Sequence, residues 1–115
     1  MRAVVSGGDA QTARAGVDVL EAGGNAIDAV VAAAFASWVV DPPLGSAAGA
    51  GILLHGGPDE GYELVDFFTK VPGLGLPPVD PTALDFYPID IDFGPTTQAF
   101  HVGRGSVALP TAVWG

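Results

Sequence analysis

The sequence predicts an α+β fold for a chain of 115 residues. Near the start, apolar residues recur at helical spacing, and an alanine-rich apolar run follows them. Further along, two runs rich in β-branched, aromatic and other apolar residues flank a glycine-rich turn. Hydrophobic residues make up 49% of the chain, which is enough for a packed core and argues against disorder. We therefore expect helices and a hairpin within one domain, or within part of one.

The first 24 residues predict a strand and then a helix. Arg2–Ser6 is a short β-branched run, and Asp9 can cap the helix that follows it. Gly16 either weakens this helix slightly or allows another backbone to come close. Gly23 can adopt the left-handed conformation that closes the helix. The apolar stripe of this helix consists of Ala10, Ala13, Val17 and Leu20.

A second helix is predicted at Ala26–Val40, which is apolar on almost every face and should therefore be buried. Asn25 can cap it, and Asp28 lies at its positive end, where a carboxylate is more readily a helix-start residue than a catalytic acid. Pro42 and Pro43 should end the helix.

The second half of the chain predicts a hairpin and then irregular structure. A small-residue loop at Leu44–Gly51 leads into Ile52–His55, and a second strand follows at Tyr62–Phe68; we expect both strands to be largely buried. Beyond Val71 the sequence is rich in proline, which favours an irregular segment that wraps over other elements. Its expected anchors are Phe86, Tyr87, Ile89 and Phe93. Ser106–Leu109 is predicted to be a last strand.

Composition excludes several classes of function. The chain has 13 acidic and 4 basic residues, and a formal net charge of -9. A nucleic-acid partner needs clustered cations, whereas the four here are scattered. With no cysteine, disulfide frameworks and thiolate zinc sites are excluded. The amino terminus shows no signal-peptide pattern and no apolar run is long enough to span a bilayer, so we expect a cytoplasmic protein without a membrane partner.

Several segments together resemble the amino-terminal end of the γ-glutamyltranspeptidase (γ-glutamyltransferase) family. The most specific block is Leu20–Ala34, with the sequence LEAGGNAIDAVVAAA. Around it lie an Asp-Pro pair after the second helix, a small-residue loop before a hydrophobic strand, an Asp-Phe strand end, and a closing SVALP. The resemblance runs from about Val4 to Gly115 and is weakest at Val79–Val102.

The resemblance implies an N-terminal-nucleophile hydrolase with an αββα sandwich. Such a precursor cleaves itself to expose a threonine, which attacks a γ-glutamyl amide such as glutathione. That threonine would lie beyond this chain, so no catalytic residue is expected within it. Residues 1–115 would be an amino-terminal fragment, inactive alone, whose partners are the remaining parts of the same precursor and a small-molecule substrate. No cofactor and no metal are implied.

One departure from the family pattern concerns the substrate. The family's D-F-R-E-x-A-P places an arginine where it holds the substrate α-carboxylate, and Phe68 stands at that position here. Either Lys70 supplies a cation from a neighbouring position, or the substrate is not a typical γ-glutamyl compound. Lys70 is thus the candidate substrate-binding residue, although an ordinary solvated lysine is the simpler interpretation.

Three other patterns have simpler interpretations. Thr96-Thr97 matches the start of the family's small subunit but is better explained as loop threonines. Gly45–Gly51 fits a G-x-x-x-G-x-G pattern, but its order of helix then strand is the reverse of a dinucleotide-binding turn. His55 and His101 lack ligand-spaced neighbours, which makes a metal pair a weak interpretation.

Two alternatives to the γ-glutamyltransferase-like enzyme stay open. The absence of the arginine allows a related amide hydrolase or acylase. A non-catalytic, truncated remnant of the family is the alternative from a different class. In either case we expect residues 1–115 alone to fold poorly, because the second helix and the hairpin would lack the layers that normally cover them.

Overall fold

The computed structural model describes residues 3–115, which form two α-helices and two β-hairpins. The elements in chain order are α1 (Ala10–Glu21), α2 (Ala26–Val40), β1 (Gly51–Gly57), β2 (Gly61–Phe67), a 3₁₀ helix (Pro81–Ala83), β3 (Tyr87–Asp92), β4 (Thr97–Val102) and a second 3₁₀ helix (Arg104–Ser106). The chain divides into two compact units: one is the chain up to Thr69 together with Pro110–Gly115, and the other is Lys70–Leu109. The predicted α+β class is confirmed.

Helix α1 begins at its predicted cap and ends at a glycine pair. The Asp9 carboxylate accepts the backbone N–H of Gln11 at 2.7 Å, which satisfies one of the free donors at the helix start. At the other end Gly23 has a φ of 95°, and the N–H of Gly24 donates to the Val19 carbonyl at 2.9 Å. Because the left-handed conformation favours glycine, the chain can turn here without strain. The predictions for Asp9 and Gly23 are confirmed.

A reciprocal pair of hydrogen bonds starts helix α2. The Asn25 side-chain oxygen accepts the N–H groups of Ile27 and Asp28, at 2.8 and 3.0 Å. The Asp28 carboxylate in return accepts the N–H of Asn25 at 2.9 Å. This arrangement is a capping box, and it confirms Asp28 as a helix-start residue. The helix ends at Val40, just before the Pro42-Pro43 pair, as predicted.

Helices α1 and α2 pack along a line of small residues. Their buried residues are Thr12 and Gly16 on α1 and Ala29 and Ala33 on α2. A Cβ added at Gly16 would lie 2.9 Å from Val5 Cγ1 and 3.2 Å from the Ala29 carbonyl oxygen. Glycine therefore allows a close backbone approach, which is one of the two interpretations of Gly16 that the sequence leaves open. The buried residues of α1 are therefore not those of the predicted apolar stripe. Of the stripe, Ala10 is exposed, and the other three members are partly buried: Ala13, Val17 and Leu20.

The prediction that α2 is a buried helix is wrong for the described chain. Only Ala29 and Ala33 are buried, whereas Phe35 is 54% exposed and Val39 is 79% exposed. Among residues 3–115, α2 packs closely only against α1. A helix that is apolar all round needs neighbours on several sides, and most of those positions are open here.

Strands β1 and β2 form the predicted antiparallel hairpin, with Gly51 opposite Phe67 and Gly57 opposite Gly61. Gly61 has a φ of 79°, and the N–H of Glu60 donates to the Gly57 carbonyl at 3.2 Å. Glycine at the end of the loop thus closes the turn in a conformation that other residues rarely adopt.

Alternation along these strands gives the hairpin two apolar faces. One face presents Leu53, His55, Val65 and Phe67, and the other presents Ile52, Leu54, Tyr62 and Leu64. The second face is exposed; Leu54, for example, is 62% exposed. The prediction of largely buried strands is therefore wrong within residues 3–115. The reason is that a two-stranded hairpin needs a further layer on each apolar face to be covered.

The second unit contains a hairpin that the sequence analysis did not predict. Strands β3 and β4 pair antiparallel, from Tyr87 opposite Val102 to Asp92 opposite Thr97. Residues 71–80 are irregular, as expected, but residues 87–92 and 97–102 are not. Tyr87, Ile89 and Ile91 do alternate along β3. The prolines around them nevertheless favour irregular structure, although proline is compatible with an edge strand. The four expected anchors of this segment are each more than a third exposed, so they are not anchored within the described residues.

Two further predicted strands do not form. Ser106–Leu109 makes only a single bridge, between Leu109 and Lys70, after the 3₁₀ helix. Residues 3–6 have no strand partner within the described chain, so that prediction is wrong there, and Arg2 lies outside the described residues. In both cases the segment finds no strand in the described chain with which it forms a continuous ladder. No helix within residues 3–115 has the length and apolarity that crossing a bilayer requires.

Candidate functional site

Lys70, the predicted substrate-binding residue, lies on the surface at the start of the second unit. Its backbone carbonyl accepts the N–H of Leu109 at 2.9 Å, which fixes the main chain at this point. Its side chain takes part in no ion pair among residues 3–115. The ammonium group is therefore available to an anion, and it is equally compatible with an ordinary solvated lysine.

The end of strand β2 carries the departure from the family pattern. Phe67 is partly buried and its ring lines a cavity beside α2, whereas Phe68 is 58% exposed. The Asp66 carboxylate accepts the N–H of Phe68 at 2.9 Å. The charged group that contacts the backbone of Phe68 is thus the Asp66 carboxylate and not a cation. Within the described residues of the first unit, Arg14 is the one arginine. It pairs with Asp18 on α1, at 2.6 Å.

A hydrogen bond between distant parts of the chain fixes this strand end. The Thr111 hydroxyl donates to the Phe67 carbonyl at 2.6 Å, across 44 positions of sequence. The N–H groups of Thr111 and Ala112 both donate to the Gly49 carbonyl at 3.0 Å. The segment around Thr111 therefore joins the small-residue loop to the end of β2. Sequence reasoning missed this contact, and no local pattern around Thr111 indicates it.

The small-residue loop from Gly45 to Gly51 is not a dinucleotide-binding turn. Helix α2 precedes it and strand β1 follows it, which is the order that the sequence indicates and the opposite of the required one. Within the loop, the N–H of Gly49 donates to the Ser46 carbonyl at 2.9 Å. A Cβ added at Gly45 would lie 3.3 Å from Trp38 Cδ1, so the loop passes close to this indole.

Each histidine has a partner in its own hairpin or next to it. His55 Nε2 lies 3.5 Å from a carboxylate oxygen of Glu63, directly across the β1–β2 pair. The ring of His101 stacks on Phe86 with a centroid separation of 4.6 Å and an interplanar angle of 9°. Among residues 3–115 no three histidine or acidic side chains are grouped as a metal site would require.

Four hydroxyl groups in the described chain donate hydrogen bonds to the backbone or to a helix cap. The hydroxyls of Ser37, Ser106 and Thr111 donate to carbonyl oxygens, and that of Thr82 donates to the Asp80 carboxylate at 2.7 Å. None of these four bonds joins a hydroxyl to a histidine or a lysine, as activation of a nucleophile requires. The hydrogen bonds from the Thr82 hydroxyl and N–H lower the pKa of Asp80, which caps the first 3₁₀ helix.

Thr96 and Thr97 lie in the β3–β4 hairpin. The Thr96 carbonyl accepts the N–H of Phe93 at 2.9 Å, and Thr97 is the first residue of β4 opposite Asp92. The Asp92 carboxylate also accepts the N–H of Gly94 at 2.7 Å. Thr96 therefore lies in the loop, as the simpler interpretation has it, whereas Thr97 belongs to strand β4 and not to a loop.

An apolar concave feature lies between α2 and the first hairpin. It is a cavity of about 480 Å³, lined on one side by α2 residues such as Val31 and Phe35 and on the other by Leu53, Phe67 and Val113. No acid, base or nucleophile lines it. Its chemistry is that of an incomplete core and not that of a reaction site.

Comparison with known proteins agrees with the sequence patterns. A family model described as Gamma-glutamyltranspeptidase matches residues 12–114. The chain is 36% identical over 69 residues to the glutathione hydrolase proenzyme of Escherichia coli (strain K12). This match covers 60% of this chain and 12% of that protein. It is 44% identical over 59 residues to the glutathione hydrolase of Aspergillus flavus, and 42% identical over 59 residues to the glutathione hydrolase proenzyme of Pseudomonas sp. (strain A14).

Each of the last two matches covers 51% of this chain and 10% of the relative. The matches thus span about a tenth of the length of these relatives. The family model, by contrast, covers nearly the whole of this chain and includes the helix pair and both hairpins. The chain therefore belongs to the γ-glutamyltranspeptidase family.

Proposed function

We propose that residues 1–115 are the amino-terminal part of a γ-glutamyltransferase-like enzyme that transfers or hydrolyses γ-glutamyl amides such as glutathione. The family match over residues 12–114 is the observation that carries this proposal. The names of the relatives, glutathione hydrolase and glutathione hydrolase proenzyme, support the reaction and a cleaved precursor. Because the matches reach only about a tenth of those relatives, the reaction is assigned to a longer protein that contains this chain.

The proposed fold of that longer protein is the αββα sandwich of the N-terminal-nucleophile hydrolases. The first hairpin supports it, because β1 and β2 carry apolar side chains on both faces. Strands with two apolar faces are typical of a sheet enclosed between two layers. Helix α2 borders a cavity on one side of this hairpin, and the exposed face of Ile52 and Leu54 is free for a second sheet. The described hairpin would then be part of the first sheet.

In the proposed reaction the nucleophile is a threonine that becomes the first residue of a downstream chain after self-cleavage. Its own α-amino group can act as the base for its hydroxyl, and backbone donors can stabilise the oxyanion. The described hydroxyl bonds of Ser37, Thr82, Ser106 and Thr111 are compatible with this proposal, since they serve a cap and carbonyls. The role of residues 1–115 is then structural support and a share of the substrate pocket, and these residues alone should be inactive.

The proposed partners are the downstream parts of the same precursor and a small-molecule substrate, with no nucleic acid and no membrane. Exposed apolar side chains on α2 support an intramolecular partner, because Phe35 and Val39 would otherwise stay in water. The scattered cations support the exclusion of nucleic acid. A cytoplasmic location remains a prediction.

The decisive test is the intact mass of the protein purified after expression from the complete gene, with amino-terminal sequencing of each chain. We expect two chains, of which the smaller begins with threonine and releases the product of a γ-glutamyl anilide. Purified residues 1–115 serve as the inactive control. A single uncleaved chain that ends near Gly115 would overturn the enzyme proposal and favour the non-catalytic remnant.

A related amide hydrolase or acylase is the second candidate, and the strand end at Phe68 favours it. The exposed phenyl ring of Phe68 stands where the family pattern has the carboxylate-binding arginine. The Asp66 carboxylate accepts the backbone N–H of Phe68. An anionic substrate group would meet an acidic neighbour here, which lowers its affinity. An acyl chain without an α-carboxylate would meet an apolar ring instead.

A comparison of γ-glutamyl and acyl anilides on the processed protein separates these two candidates. Release from the acyl compound alone supports the acylase, and release from the γ-glutamyl compound alone excludes it. Phe68→Arg should then lower KM for the γ-glutamyl compound severalfold, while Phe68→Leu is the matched control without a cation. An unchanged KM in Phe68→Arg would mean that this position does not contact the substrate carboxylate.

Lys70 is tested by the same assay. If it supplies the missing cation, Lys70→Met should raise KM for the γ-glutamyl anilide severalfold, with little change in kcat, because a ground-state contact is lost. Lys70→Arg retains the charge and should stay near the wild-type KM. Equal kinetics in all three proteins would identify Lys70 as an ordinary surface lysine.

A further inference from the structure

We draw no further inference here: the strongest candidate, the apolar cavity of about 480 Å³ between α2, the first hairpin and the segment at Val113, carries nothing because nothing in the structure shows what fills it beyond the downstream segments already proposed to pack there.

Discussion

The Thr111 hydroxyl donates a hydrogen bond of 2.6 Å to the carbonyl of Phe67, the last residue of β2. The N–H groups of Thr111 and Ala112 also donate to the Gly49 carbonyl. Together these bonds connect the segment after Pro110 to residues that lie more than forty positions earlier in the sequence. The end of β2 is thus fixed by a partner outside its own hairpin. The position of Phe68, which follows directly, depends on this contact.

Replacement of Thr111 by valine should lower the free energy of unfolding by about 1 kcal/mol, because one partly buried hydrogen bond is lost while the shape is kept. Thermal or denaturant unfolding of the protein measures the change. Thr111→Ser is the control, since it retains the hydroxyl and should lose less stability than the valine variant. Equal stability of the wild type and the valine variant would contradict the role given to this bond.

Replacement of Gly16 by alanine should destabilise the helix pair, although alanine is the better helix former by about 1 kcal/mol. The added Cβ would approach Val5 Cγ1 to 2.9 Å and the Ala29 carbonyl oxygen to 3.2 Å. Crowding of this kind typically costs about 1–3 kcal/mol, so it should outweigh the gain in propensity. Gly8→Ala is the matched control, because no atom lies within 4 Å of its added Cβ. Unfolding experiments should show a loss only for the Gly16 variant.

Thr12→Val should leave stability unchanged or raise it. Thr12 is 7% exposed, and its hydroxyl has no hydrogen-bond partner among the described residues. A buried hydroxyl without a partner costs about 1–3 kcal/mol on protein mutational scales, and valine removes it at nearly constant volume. Thr12→Ser keeps the hydroxyl but removes a methyl group, so it should be less stable than the valine variant. The reverse order in unfolding experiments would mean that the hydroxyl has a partner.

Thr82→Ala should raise the pKa of Asp80 toward its ordinary value, because the side-chain hydrogen bond that lowers it most is removed. Since the pKa is lowered in the folded chain, the stabilisation is present above the ordinary carboxyl pKa. It is lost as the pH falls through the lowered value. Carbon NMR titration of the Asp80 carboxyl group measures the shift. Thr82→Ser keeps the hydroxyl and should titrate like the wild type, whereas identical curves for all three proteins would refute the assignment.

Phe35→Asp should sharply reduce the yield of soluble, processed protein from the complete gene, if downstream segments cover α2. Phe35 is 54% exposed in this chain, so the charge is tolerated here but would be buried in the assembled protein. Phe35→Leu is the matched apolar control and should process normally. Yield and chain composition are read from a gel and by mass. Normal processing of the aspartate variant would show that this face of α2 stays in water.

The sequence predicts those parts of the fold that local chemistry determines. Asp9 and Asn25 cap their helices, Gly23 closes the first helix, and the prolines after Val40 end the second. Each of these signals acts within a few residues, so one sequence is sufficient to find it. The first hairpin is predicted for the same reason, from its glycine-rich turn and flanking apolar runs.

Burial and distant contacts could not be predicted in the same way. The apolar character of α2 indicates that it is covered in its working state, but not which segment covers it. The hydrogen bond from Thr111 to Phe67 joins residues 44 positions apart, and no periodic pattern in the sequence indicates it. The alternation in β3 is present, but the proline-rich surroundings favour an irregular segment and outweigh it. For the candidate site, the sequence shows that Phe68 stands at the position of the family's arginine. The hydrogen bond from the Phe68 N–H to the Asp66 carboxylate is known only from the structure.

The two apolar faces of the β1–β2 hairpin also affect how the protein is made. Ribosomes add about 5–20 residues per second, whereas a hairpin forms in about 1–10 μs, so this one should close long before later segments emerge. During that wait its unpaired edges can pair with the same segment of another nascent chain. The net charge of -9 opposes such encounters through repulsion between copies. The acidic excess, which no described site uses, would then protect the chain during its synthesis.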